Sequence, residues 1–246
     1  MQATARRPVV SIGLLALALV LSALLIALGM WQLQRAEEKR TTLAEFERRG
    51  TAAIVDLNRT DNDDAGTLVG YRATATGYYL DFNILLDNQL HQGRTGYLVY
   101  TVFELDDRNP SILVNRGWIG AEADRSRAPR FDTPTTSQRL DGRLSQPPAT
   151  GLRFEGSELI ERMTDDMWRV QHIDFPGLIT SLGEDLLVIT LLLDNDAPAG
   201  FIRAWTPPGS DEARNLGYAF QWFAMALAVM VIAVVITLRS YKSGST

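Results

Sequence analysis

PVVSIGLLALALVLSALLIALGM, residues 8–30, runs for 23 positions without an ionisable side chain. At a helical rise of about 1.5 Å per residue, such a stretch crosses a hydrocarbon core of about 30 Å. A second stretch, Gly217–Leu238, has the same property. The first run exceeds the apolar core of a cleaved signal peptide, about 7–15 residues, and Ile12–Met30 lacks a fitting small-residue cleavage site. The pair Arg6-Arg7 has the look of a twin-arginine signal, yet two basic residues are also what an anchor needs on its cytoplasmic side. The reading is two retained transmembrane helices.

The tails orient them. Residues 1–7 carry Arg6 and Arg7, residues 239–246 carry Arg239 and Lys242, and neither tail has an acid. Positive charge stays inside, so both termini are expected in the cytoplasm and the chain between the spans on the outer side, the periplasm of a bacterium. The expected layout is a tail at 1–7, a span at 8–31, an outer domain at 32–215, a second span at 216–238 and a tail at 239–246. All 29 acidic residues lie between the tails with 20 basic ones, a formal charge of −9 that speaks against a nucleic-acid partner. The chain has no cysteine, so the domain must be held by its own core.

The middle segment reads as one domain without repeats. WQLQRAEEKRTTLAEFERR, 31–49, is rich in helix formers and is expected to prolong the first span as helix. LVGYRATATGYY, ILLDN, TGYLVYTVFEL, SILVNRGWI and QRLDGRLS are rich in β-branched and aromatic residues and are separated by turn-forming stretches such as NDDAG, HQGR and DDRNP. LLVITLLL, 186–193, reads as a fully buried strand, and Asp174-Phe175-Pro176 as the capped start of a short helix. The expected fold class is a membrane protein of α+β type, two transmembrane helices flanking a mainly antiparallel sheet or open barrel. WTPPGSDEAR, 205–214, forms a stiff polar hinge into the second span.

Catalytic signatures are missing from the sequence. With no Cys and only His91 and His172, thiolate or imidazole metal sites have few donors. There is no glycine-rich phosphate cradle or serine elbow, and the pairs Asp63-Asp64, Asp106-Asp107 and Asp165-Asp166 read as solvated turn carboxylates. The expectation is a protein that is not an enzyme. A polar and aromatic cluster stands out instead. If both termini are inside, Met30-Trp31-Gln32 and Tyr218-Gln221-Trp222 meet the same outer membrane surface. Tyr218, Trp222 and Met225 share a helical face with Gln221 beside them. They form either an aromatic belt or the lining of a cleft in which Gln221 seeks a partner such as Gln32.

LGMWQLQRAEEKR after the first span, LLDNQLHQGRTGYLVYT and LVNRGWI in the middle, and NLGYAFQWFAMA at the second span together resemble the surfeit locus protein family, assembly factors of cytochrome c oxidase. The resemblance covers essentially the whole chain in order. It implies a helper in haem a delivery to oxidase subunit I, or in its retention there, with subunit I and the haem a synthesis enzyme as partners and the inner membrane as location. The alternative is a haem-independent membrane scaffold for subunit I or its maturation partners. An anchored sensor would need a cytoplasmic output that seven- and eight-residue tails do not supply. The resemblance also implies, from family members in some bacteria, haem a binding near the outer membrane surface with a histidine shortly before the Gly-Tyr-Ala of the second span; here Asn215 stands there, and asparagine is a poor iron ligand. Trp31, Gln32, Arg35, Asn215, Tyr218, Gln221 and Trp222 are the candidate haem-side residues, with Arg35 placed to meet a propionate. Met30, Met225, Tyr218 and the two distant histidines, His91 and His172, are the remaining axial candidates. Asn115, Arg116, Gly117 and Trp118 are the candidate partner contacts; Arg116 is read either as a turn arginine or as a cation offered to a propionate or a partner.

Overall fold

A computed structural model describes residues 8–106, 110–148, 160–183, 185–197, 200–203 and 205–242. The chain divides into two compact units. One holds the chain up to Ala44 and from Pro207 on; the other is Glu45–Thr206.

The first unit is built from two helices, α1 (Pro8–Gly50), whose last residues belong to the second unit, and α4 (Glu212–Lys242). Both are long and apolar enough to cross a membrane. They run antiparallel, and their packing is written in small residues. On α1 the buried positions Ala18, Ser22, Leu25, Gly29, Gln32 and Ala36 follow alternating steps of four and three, the spacing of a left-handed helix pair. On α4 the buried Ala219, Ala226 and Ala233 lie seven apart. Small side chains let backbones approach closely, which is what holds helices together where lipid removes the hydrophobic drive. Ser22 Oγ donates across the seam to the carbonyl of Ala226 at 3.3 Å. Gly29 faces the Phe223 ring so closely that a Cβ there would lie 2.6 Å from a ring carbon.

Among the described residues the second unit is a sheet of eight strands, mostly antiparallel: β1 (Val55–Asp56), β2 (Arg72–His91), β3 (Arg94–Leu105), β4 (Ser111–Gly120), β5 (Gln138–Ser145), β6 (Ile160–Thr164), β7 (Met167–Val170) and β8 (Leu186–Leu193). Short α2 (Asn62–Ala65) and α3 (Phe175–Leu182) accompany it. The expected strands at LVGYRATATGYY and ILLDN are one long strand, β2, bent by an irregularity between Tyr79 and Asn83. That bend lets β2 serve two neighbourhoods: Arg72–Gly77 pairs with β5, and Asn83–Leu86 pairs with β7. Because β2 also pairs β3, β3 pairs β4, β4 pairs β8 and β8 pairs β5, five strands close into a ring. Closure satisfies edge hydrogen bonds internally, so the open barrel anticipated from strand count is closed.

Local chemistry explains the joints. Gln92 and Gly93, at φ +49° and +75°, make the two-residue turn between β2 and β3, whose twist suits a hairpin. Asp174 caps α3 by accepting from Gly177 N, and Gly183 ends it in the left-handed region at φ +70°. The β6–β7 hairpin is short and turns at Asp165-Asp166, as those carboxylates suggested, whereas Asp64 belongs to α2. Inside the ring lie Tyr79, Phe103, Val114, Leu140, Ile189 and Leu191, among others. A second cluster, with Ile84, Tyr100, Trp118 and Trp168, packs under Leu178 of α3. LLVITLLL is core as expected, apart from Val188, which is 41% exposed.

Candidate functional site

Where the apolar part of α1 gives way to charge, the two helices are joined by a chain of polar side chains. Asn215 Nδ2 donates to Gln32 Oε1 at 2.7 Å, and Lys39 Nζ donates to Asn215 Oδ1 at 2.9 Å and to Asp211 Oδ2 at 2.7 Å. Gln32 is only 9% exposed. Its position follows from the same seam that buries Gly29 and Ala36, and Lys39 continues that seam one turn further. The hydrogen bond from Lys39 holds the Asp211 carboxyl below its ordinary range. An interhelical partner for Gln32 was anticipated, but the partner is Asn215; Gln221 is exposed.

Beside this chain lies an open groove of about 800 Å³ lined by Ala27, Met30, Trp31, Leu33, Leu216 and the polar Gln34, Glu37, Arg40 and Glu212, with Ala36 at its floor. Trp31 is 53% exposed and belongs to this groove; Tyr218 and Trp222 do not line it. Among the described residues no aromatic ring pair links Trp31 to either of them. Of the three residues expected to line one cleft, Trp31 lines this groove. Arg35 pairs with Glu38 at 2.9 Å on an exposed face, an (i, i+3) pair that fixes its head along the helix.

In the second unit, VNRGW forms a clasp. Asn115 pairs with Tyr100 and Gly117 with Val99, so Arg116 is the extra residue of a bulge in β4. Gly117 takes φ +115°, and a Cβ there would lie 2.7 Å from Ile202 O. Room is thus made for the returning chain. Phe201 N donates to Arg116 O, Trp118 N to Ile202 O, Ile202 N to Trp118 O, and Arg203 Nη1 to Arg116 O at 2.8 Å. The Arg116 side chain, 1% exposed, turns inward, lies over the rings of Tyr79, Phe131 and Phe201, and donates to the Asp132 carbonyl at 2.9 Å. Burial pushes its pKa down and drives the Tyr79 phenol up to about 12. Asn115 bonds Tyr100 Oη and Gly117 N, and Trp118 Nε1 bonds Gln89 O. Of the two readings of Arg116, a turn arginine or a cation offered to a propionate or partner, the structure places the side chain inside the domain, where aromatic rings, the Asp132 carbonyl and the hydroxyls of Thr101 and Thr133 stand in for water. Asn115 and Trp118 are likewise buried.

The comparisons with known proteins bear on both features. A family model described as the SURF1 family matches residues 19–227, from the first apolar helix through the polar chain and into the second. The chain belongs to the SURF1 family. A SURF1-like protein of Rickettsia felis is 25% identical over 240 residues, covering 88% of this chain and 93% of that one. A SURF1-like protein of Rickettsia bellii is 30% identical over 99 residues, 39% of each chain. The cytochrome oxidase assembly protein SHY1 of Saccharomyces cerevisiae is 30% identical over 97 residues, 39% of this chain and 25% of the yeast protein.

Within this family member, Lys39, Asp211 and Arg203 escaped the sequence reading. Lys39 was legible in principle, being seven residues after Gln32 and hence on the same face of α1. Asp211 and Arg203 had no such signal, since each meets a partner far away in sequence.

Proposed function

We propose that this chain is a membrane-anchored assembly factor for cytochrome oxidase, holding subunit I or its maturation partners while the enzyme is put together. The carrying observation is the family match over residues 19–227, with SHY1, an assembly protein by name, among the relatives. The two apolar helices supply the anchor, and the acid-free basic tails favour termini in the cytoplasm and a periplasmic domain in the inner membrane of a bacterium. The role needs no catalytic group: it is binding and positioning.

Haem a is the cofactor that the family resemblance implies. The residues at position 215 do not fit a histidine-ligated iron. Asn215 is a neutral amide with both polar atoms engaged, and both histidines of the chain, His91 and His172, belong to the other unit. This favours the haem-independent scaffold. The haem-handling reading is carried by a different observation, the groove lined by Trp31, Met30, Leu33 and Leu216, which suits a flat apolar body, with Arg40, paired to Glu37 at 2.9 Å, as the cation in its lining.

One experiment separates them. The tagged chain is purified from cells that make haem a, and its spectrum is recorded together with its co-purifying proteins. Subunit I without haem pigment supports the scaffold; pigment lost on Trp31→Ala supports the groove. Recovery of neither, with normal oxidase in cells deleted for this chain, would sink the assembly role. The same cells test the aromatic belt: Trp222→Tyr and Tyr218→Trp keep interfacial rings and should leave oxidase levels unchanged if these side chains only anchor α4.

A further inference from the structure

We propose that Gln32, Asn215, Lys39 and Asp211 form a polar buckle that fixes the register of the membrane helix pair, and that position 215 in this chain serves helix pairing and not iron ligation. The seam itself is permissive. Ala219, Ala226 and Ala233 against Ala18, Ser22 and Gly29 give close approach but little that distinguishes one register from a slip by a turn. A directional contact is what supplies register, as a single buried polar residue does in a coiled coil.

The buckle has that character. Asn215 uses its amide as donor toward Gln32 at 2.7 Å and its carbonyl as acceptor from Lys39 at 2.9 Å, so the side chain is held at both ends by the other helix. Lys39 is shared with Asp211, which immediately precedes α4, at 2.7 Å. Gly209 completes the join. At φ +82° its backbone packs so close to α1 that a Cβ would lie 2.1 Å from Lys39 O. Four side chains and a glycine therefore secure the entry of the second helix against one stretch of the first. A neutral imidazole at 215 also carries one donor and one acceptor, but its ring sets them at a different reach and angle from the amide's, so it does not reproduce both contacts in place.

The chain has no cysteine, which makes a single thiol a clean probe. Ala219→Cys places one in the seam a turn below Asn215, at a position 1% exposed, and its labelling by a water-soluble maleimide in isolated membranes reads opening of the pair. Asn215→Leu and Gln32→Leu, each in the Ala219→Cys chain, are expected to raise the labelling rate about threefold or more, matching the typical strength of an interhelical hydrogen bond. Asn215→His should do the same and, on titration of the purified protein with hemin, should show no binding beyond that of the unaltered chain. Exchanging the two amides, Gln32→Asn with Asn215→Gln, should return the rate toward its original value. The measurement involves no oxidase, so it stands or falls independently of the assembly role. Unchanged labelling in both leucine variants, with the protein at normal abundance, overturns the buckle. So does hemin binding by the unaltered chain that Asn215→Leu abolishes.

Discussion

Gly117 holds φ +115° while the carbonyl of Ile202 occupies the space where a side chain would begin. Both conditions are met only by glycine. Gly117→Ala combines left-handed strain with a backbone clash, which costs about 1–3 kcal/mol and unseats the 201–203 segment from β4. The expected result is a lower unfolding midpoint for the second unit and earlier protease cleavage near residue 203; an unchanged midpoint would mean that this clasp contributes nothing. Arg116 shows a related economy. Its neighbours include three aromatic rings, the carbonyl of Asp132 and the hydroxyls of Thr101 and Thr133, so a cation is accommodated in a core. Truncation to Ala leaves that carbonyl and those rings around a void, and the domain should lose several kcal/mol, read as loss of protease resistance in membranes.

Elements show which packing is tolerant. β8 runs through the ring with Ile189 fully buried, and Ile189→Asp places an unpaired carboxylate there at a cost of several kcal/mol against a total of about 5–15. Its expected outcome is proteolytic loss of the domain; normal abundance would remove β8 from the core. The helix pair responds to pH through Asp211. Its pKa lies below the ordinary 3.8 because Lys39 donates to it, so its contribution is present above 3.8 and is lost as pH falls through the lower folded value. Amide hydrogen exchange in the first turns of α4, corrected for intrinsic rates, should stay level from pH 7 to 5 and rise below 3.8. Lys39→Met should abolish the rise that depends on Asp211.

At the scale of the whole molecule, the charge asymmetry is the main lever. Basic tails flank two apolar helices, and the 29 acids lie between them. Reporter fusions at both ends should score as cytoplasmic, and one inserted after Asp124, in an exposed turn between β4 and β5, as extracytoplasmic. A cytoplasmic score at 124 would overturn the topology expected from the charge of the tails.

Two apolar runs, the strand-rich middle and the capped α3 were legible in the sequence because each depends on local pattern: hydrophobic length, alternation, and an Asp followed by Pro and Gly. The family was legible for a related reason, since LGMWQLQ, VNRGW and GYAFQWF are contiguous strings. What lay beyond reach was every choice made between distant residues. The ring closes because β2 pairs with β3 along its length and also offers Arg72–Gly77 to β5. Arg116 read as a turn arginine or a cation for a propionate or partner because nothing nearby in sequence announces Tyr79, Phe131 and Phe201 around it. Asn215 read as a vacated ligand position, yet Gln32 and Lys39, 183 and 176 residues away, make it the centre of a hydrogen-bonded chain. Local pattern sets which elements form; partner selection for a buried polar group depends on which of those elements meet, and only the tertiary structure decides that.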